Sequence, residues 1–286
     1  MLQSEKTKVV ERFQSEQQVW EDMYHKTDYD SRGFQWRKDN AVRLCQEHLP
    51  EGGRILDLGC GCGHAATALA QLGYKVVGVD ISDAMIAQAQ QNAQSMNLQE
   101  GCGFLVADFA DRSDAIGSYD GLIALGFVEY FDDPLTVLTT MRGLLNEHGI
   151  AVVQIWNRKS FADRVLTPVY RLCRKLIHPV GALKQIVKFV LPKSVVERFE
   201  KPDPPPPKDD AKATRHLRYT PAELNALAGK AGFQLIDALG SRFFPKRFFF
   251  SDPWKEKWDE RLQRWAAGRR FLNKRAVDYV AVLRRT

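Results

Sequence analysis

The 286-residue sequence is short of several things, and each absence removes a class. Cysteine is scarce: five residues, at 45, 60, 62, 102 and 173, odd in number and without the spacing of a disulfide framework. A cross-linked extracellular scaffold is therefore excluded, and a reducing cytoplasm is the expected setting. No run approaches the roughly 18 consecutive apolar residues of a membrane span. The opening MLQSEKTKVVERFQSEQQVW has no hydrophobic region of the kind a secretory signal needs. No Gly-Lys-Ser/Thr follows a glycine loop, which removes the Walker phosphate loop, and no internal repeat is visible. What is present is 44% apolar and 27% charged residues, enough to build a core and to exclude disorder throughout. The length allows one large domain or two small ones.

Charge is unevenly placed. Residues 1–157 carry 12 Lys/Arg against 22 Asp/Glu, a net −10. Residues 158–201 carry 11 against 3, residues 202–241 balance at 5 and 5, and residues 242–286 carry 13 against 5. An acidic first half is joined to two segments of +8 each, which points to an acidic or membrane-proximal partner on the second half or to a solvated basic surface.

The first fifty residues have helical apolar spacing through Phe13, Val19, Trp20 and Met23 and again through Ala41, Val42, Leu44 and Cys45, with Tyr29–Gly33 as a turn between them. From Arg54 the pattern alternates strand and helix. Strands are predicted at 54–58, 75–80, 104–107, 119–125 and 150–156, with helices between them, one capped by Ser82. Near-continuous apolar strands alternating with helices predict an α/β fold, a Rossmann-like, mostly parallel sheet covered on both faces. Thr220-Pro221-Ala222-Glu223 opens a further helix, and two more strands at 233–239 and 277–283 bring the sheet to seven. Residues 158–201 interrupt the alternation. Phe161, Val165, Val169, Leu172 and Leu176 lie at helical spacing, with Pro168 expected to break or kink the run, and a second stripe runs through Leu183, Ile186, Val187 and Val190 before a polyproline connection at 204–207. Four segments are expected: an N-terminal helical segment (1–50) closing over the ligand, a binding core (51–157), a basic helical cap (158–214), and the rest of the sheet with an aromatic, basic insertion (215–286).

The informative stretch is Asp57-Leu58-Gly59-Cys60-Gly61-Cys62-Gly63, directly after the first strand. Glycines let the backbone turn tightly and approach a ligand, with a helix N-terminus behind them. The dinucleotide fingerprint would place glycines at 59, 61 and 64, but position 64 is His, and Asp57 would meet a pyrophosphate with the wrong charge. A ligand with a cationic part suits the loop better. Asp80 ends the second strand, where a carboxylate can accept from vicinal ribose hydroxyls, and Asp108-Phe109 ends the third, where an acid and an aromatic can hold an adenine.

These residues, with Tyr119-Asp120, Gly126–Tyr130, Leu144–Gly149 and Arg218–Leu224 followed by Ala231-Gly232-Phe233, resemble the class I S-adenosylmethionine-dependent methyltransferases over roughly 36–157 and 215–240 and the last strand. The resemblance implies that Gly59, Gly61 and Gly63 cradle the methionine part of S-adenosylmethionine and that Asp57 holds its ammonium. Asp80 would bind the ribose, Ile81 would pack on adenine, Asp108 and Phe109 would define the adenine pocket, and Leu125 and Gly126 would lie beside the sulfonium. The resemblance is specific for cofactor and fold and says little about the substrate; the expected reaction is methyl transfer to a small-molecule acceptor, first to oxygen on the breadth of the family alone, with S-adenosylhomocysteine as product.

Weaker signals complete the expected site. The resemblance implies that Arg37 reaches the cofactor carboxylate, with a surface ion pair as the alternative, and Tyr29 could close over the same pocket. Glu129 and Tyr130 follow the fourth strand, where the acceptor should arrive; Tyr130 stands where relatives often have His. His216 is the remaining candidate general base, since imidazole titrates near neutrality. Cys60 and Cys62 have no second Cys or His pair nearby in sequence, so no metal is expected. The stripe Trp254, Trp258, Leu262 and Trp265 reads as core. The basic second half leaves an RNA methyltransferase as the alternative, against which stand the lack of an Asn-Pro-Pro-Tyr-like motif after the fourth strand and of an appended RNA-binding module; N-methylation of a small molecule is the other. Residues 158–201 are expected to form a lid over the acceptor, with peripheral contact to the inner face of a membrane as a secondary use.

Overall fold

The short apolar runs of the sequence become strands, and the central ones, buried on both faces, set the frame. A computed structural model describes residues 3–109, 118–177, 217–246 and 250–286. The chain opens with three helices, α1 (Gln3–Ser15), α2 (Gln17–Met23) and α3 (Tyr29–His48). The alternating part follows: β1 (Arg54–Leu58), α4 (His64–Gln71), β2 (Lys75–Asp80), α5 (Asp83–Ser95), β3 (Cys102–Val106), β4 (Tyr119–Leu125), α6 (Pro134–Gly143) and β5 (Leu145–Trp156). After α7 (Thr167–Ile177) come α8 (Pro221–Lys230), β6 (Phe233–Ser241), α9 (Asp252–Ala266), a short helix Arg270–Asn273 and β7 (Asp278–Arg285).

The seven strands form one sheet in the order β3-β2-β1-β4-β5-β7-β6. The first five are parallel, and β7 runs antiparallel to both β5 and β6. Alternate residues of β1 divide between two cores. Ile55 packs with Leu44, Leu69 and Ile86 from α3, α4 and α5 on one face. Leu56 and Leu58 pack with Leu138, Met141 and Leu224 from α6 and α8 on the other. The expected α/β sheet, its strand count and the helices on both faces are all present. Sequence patterning also located the caps: Ser82 accepts from the Met85 N–H, and Thr220 and Glu223 form a reciprocal capping box.

Three local expectations are corrected. Tyr29–Gly33 is the first part of α3 rather than a turn, because the Asp28 side chain accepts from the N–H groups of Asp30 and Ser31 and starts the helix there. Gly33 is needed for closeness: a Cβ there would stand 2.5 Å from Cδ of Arg242. Pro168 does not break its helix. It lies at the second position of α7, preceded by a π-helical turn over Ala162–Leu166 that takes up the register change. The stripe of α9 is core only in part: Leu262 packs against the cluster of Phe243, Ala266 and Ala276, whereas Trp258 and Trp265 are 39% and 55% exposed, and the helix buries Lys255, Asp259 and Ala266. A polar buried face is stable there because Asp259 accepts from the Phe243 N–H and the Tyr29 hydroxyl, while Lys255 donates to the Lys246 carbonyl and lies over the Tyr29 ring. The second basic stripe and the polyproline connection lie outside the described residues.

Arg242 threads past Gly33 to meet Asp278 at the start of β7, with Nε donating at 2.5 Å and Nη2 at 3.1 Å. Both groups are largely out of water, so removing one strands the other. Asp278→Ala is expected to lower unfolding stability by about 3–5 kcal/mol in urea titration, and the double variant Arg242→Met/Asp278→Leu to recover most of that loss. A loss below about 1 kcal/mol for the single variant would contradict a tightly coupled pair.

Candidate functional site

The carboxyl ends of β1, β2 and β4 and the segment after β3 open onto one cavity of about 330 Å³. Its floor is the loop 59–63, where Gly59, Gly61 and Gly63 have φ of +66°, +52° and +76°. Side chains avoid these angles, so the loop can take this path only with glycine. Space adds a second constraint at two of the three positions. A Cβ on Gly59 would stand 2.7 Å from the Phe127 ring, and one on Gly63 would stand 2.9 Å from Ala89 and Phe104. At Gly61 no protein atom lies within 4 Å, so the backbone angle alone requires glycine there. The loop is tied to β2 by Gly59 and Cys60 N–H groups donating to the Val79 carbonyl at 2.8 and 3.1 Å.

Asp80 anchors the same loop. One carboxylate oxygen accepts from the Gly61 N–H and the other from the Ser82 N–H, both at 2.9 Å. Asp57 lies beneath, 2% exposed, and its Oδ2 has no hydrogen-bond partner. Burial, and then the nearby charge of Asp80, push the Asp57 carboxyl up to about 8. Arg37 reaches the other side of the cavity from α3. Its guanidinium lies 4.3 Å over the Phe34 ring, its Nε is buried without a partner, and its Nη1 is 3.2 Å from where a Gly126 Cβ would stand. One cavity thus holds a buried unpaired carboxylate oxygen and a buried unpaired guanidinium nitrogen, the pattern of a site made for a ligand carrying both charges.

Ile81, Asp108, Phe109 and Leu125 also line the cavity, as do Glu129 and Tyr130. Phe109 is buried edge-on against Phe127 and Phe131, with centroids 5.5 and 6.3 Å away. Glu129 is buried at 3% exposure, and burial raises its carboxyl to about 7 although its Oε1 accepts from the Trp156 N–H at 2.5 Å. Burial also raises the Tyr130 phenol, whose ring packs edge-on against Phe13.

One expected member is not part of this set, and another is not among the described residues. Tyr29 is 2% exposed and lies away from the cavity, its hydroxyl donating to Asp259 and accepting from the Phe244 N–H. The sequence misled because Asp259, its partner, is 230 residues away. His216 lies outside the described residues. The cavity gains members that sequence patterning did not assign: Val9 and Phe13 of α1, Trp20 of α2, and Tyr24 form its roof. The sequence predicts that the segment 1–50 closes over the ligand and gives Phe13 and Trp20 helical apolar spacing, but that spacing does not show which side chains face the cavity. None of the described residues of 158–177 lines the cavity, so the expected lid is not formed by α7. The stripe Phe161, Val165, Val169 and Leu172 is 38–59% exposed to solvent, while Ala162 and Tyr170 on the opposite side are buried.

The Asp57 carboxyl gives a pH signature without any ligand. Its folded value lies far above the unfolded value of roughly 4, so between pH about 4 and about 8 the folded chain retains a proton that the unfolded chain has lost. Stability falls as pH rises through that window. Asp57→Asn, which cannot ionise, is expected to show a smaller loss in thermal denaturation between pH of about 5 and about 8 than the parent. Identical losses would contradict the buried carboxyl.

Residues 49–185 match the family model of a methyltransferase domain. The chain is 31% identical over 203 residues to the ubiquinone biosynthesis O-methyltransferase of Azorhizobium caulinodans, covering 69% of this chain and 65% of that protein. It is 33% identical over 198 residues to the protein of the same name from Ruegeria sp., covering 68% and 65%. The chain therefore spans just under two thirds of the length of these curated relatives. The magnesium protoporphyrin IX methyltransferase of Synechocystis PCC 6803, solved with bound SAH, has a TM-score of 0.59 at 17% identity, covering 99% of this chain and 100% of that one. That likeness is one of fold. Taken with the loop after β1, the acidic residue ending β2 and the reversed last strand, these matches show a methyltransferase domain of the class I S-adenosylmethionine-dependent type over residues 49–185.

Proposed function

We propose that the chain binds S-adenosylmethionine in the cavity above the glycine loop and catalyses methylation of an oxygen on a small-molecule acceptor, anionic or amphiphilic in character. The observation that carries this reading is the pairing in one cavity of the unpartnered Asp57 oxygen and the unpartnered Arg37 nitrogen, which match the ammonium and carboxylate of an amino acid. Asp80 keeps lone pairs for two ribose hydroxyls beyond those that accept from Gly61 and Ser82. Ile81 packs on the adenine, and Asp108 and Phe109 bound its pocket. Leu125 and Gly126 flank the sulfonium end. When bound, the cofactor supplies a methyl group on a positively charged sulfur. The roof of α1 and α2 excludes water, and the walls hold the acceptor in line, so positioning contributes much of the rate.

Glu129 stands where the acceptor would enter beside Gly126, and its raised carboxyl suits it to receive a hydroxyl proton near neutral pH. Tyr130 borders the same space, and His216 is the second candidate base. Oxygen is favoured over nitrogen because the relatives named above are O-methyltransferases.

A membrane-proximal acceptor fits the exposed stripe of α7. Phe161 shares a surface groove with Trp265 and Phe271, themselves 55% and 67% exposed, and Arg164, Arg171, Arg269 and Arg275 are carried on the same or adjoining segments. Aromatics beside arginines suit a helix lying on an anionic surface, and no helix among the described residues is long and apolar enough to cross a membrane.

The cofactor reading is tested by calorimetry with S-adenosylhomocysteine. The parent is expected to bind, and Asp80→Ala to bind more weakly by about 1–3 kcal/mol through loss of a charged acceptor. No binding to the parent, or equal binding to both, would overturn the assignment of the site.

A further inference from the structure

At the edge of the cavity two histidines converge on one buried carboxylate. Glu21 of α2 is 8% exposed. Its Oε1 meets His25 Nε2 at 2.9 Å and its Oε2 meets His64 Nε2 at 2.9 Å. The three potential ligand atoms all lie within 4.8 Å of one another. A four-coordinate zinc holds nitrogen and oxygen at about 2.0–2.2 Å, which sets ligand atoms roughly 3.3 Å apart. Small side-chain shifts therefore bring this set to coordination distance.

The surroundings hold the ligands in place. Asn92 donates to Glu21 Oε2 at 3.1 Å and to the Cys62 carbonyl at 2.9 Å, and its own amide oxygen accepts from Gln88. Tyr24 stacks on the His64 ring, centroids 4.1 Å apart. Carboxylates and imidazoles oriented by neighbours in this way are what metal sites require. The His25 side chain is 68% exposed, which gives an ion a path in and leaves a coordination position for water.

We propose that Glu21, His25 and His64 form a zinc(II) site. Each imidazole binds through Nε2, its ring proton residing on Nδ1, and Glu21 binds as the carboxylate, giving two nitrogens, one oxygen and a water. The site joins α2 to the first residue of α4, and His64 is also part of the cavity wall. Zinc would thus fasten the roof to the glycine loop. The sequence hides this set because His64 lies 43 residues from Glu21, whereas the cysteines at 60 and 62 drew attention with no partner of their own.

The test uses the full chain, stripped with EDTA and titrated with zinc(II) against a chromophoric chelator, with no methyl donor present. One zinc per chain is expected, and His25→Ala and Glu21→Gln should each weaken binding roughly tenfold or more. His25 is exposed and does not line the cavity, so His25→Ala should fold and bind S-adenosylhomocysteine in metal-free buffer like the parent. Failure of the parent to compete for zinc, or parent-like zinc binding by both variants, overturns the site. A second arm measures S-adenosylhomocysteine release, which zinc should slow in the parent and not in His25→Ala; equal rates overturn the fastening role. If the cofactor reading itself were wrong, no S-adenosylhomocysteine would bind with or without zinc, while the zinc titration would be unaffected.

Discussion

Two carboxylates on neighbouring parallel strands are the constraint around which this structure is arranged. Asp57 pairs in register with Gly78, two residues before Asp80, so both acids end near the same point at the carboxyl edge of the sheet. Buried like charges repel, and each alone would be costly out of water. The chain reduces the cost at Asp80 by turning the glycine loop so that Gly61 donates to it. It leaves Asp57 with an oxygen unpaired. That residual deficit is what a cation relieves, and the turn that brings the Gly61 N–H to Asp80 runs through three alternate left-handed glycine positions rather than ordinary turn residues.

The remainder of the site closes this electrostatic centre off from water. Helices α1 and α2 bring Val9, Phe13 and Trp20 over the loop, and α3 carries Arg37 into the wall. α3 is in turn held by contacts far away in sequence: Tyr29 to Asp259 on α9, and Gly33 against Arg242, whose guanidinium is fixed by Asp278 on β7. β6 and β7 thus contribute no residue to the cavity and still help to set the position of Arg37 in its wall. A preorganised pocket of this kind binds with little rearrangement, at the expense of stability in the empty chain.

The sheet was legible because its central parallel strands are buried on both faces and so read as unbroken apolar runs bounded by glycine and acid. The cofactor side of the cavity was legible for a related reason. In an open parallel sheet the ligand sits at the strand ends, and the residues that follow β1, β2, β3 and β4 are local in sequence to those ends. Tyr29, the α9 face and the Glu21 cluster were not legible, since each depends on a partner brought by tertiary folding. A stripe of tryptophans outweighed Lys255 and Asp259 in any reading of hydropathy, yet the polar pair is the buried one, because its hydrogen-bond partners on α3 and in the segment after β6 cannot be seen along the helix itself.

The central claim is that this cavity delivers a methyl group to a small molecule. Expressing the chain in cells fed isotopically labelled methionine, and comparing their extracted metabolites by mass spectrometry with cells expressing Asp80→Ala, tests it directly. The account predicts a low-molecular-mass compound, most plainly in the lipid-soluble fraction, that carries one labelled methyl on oxygen with the parent and is reduced with the variant. Label appearing in RNA in place of any small molecule, or an identical metabolite pattern from parent and variant, would contradict it.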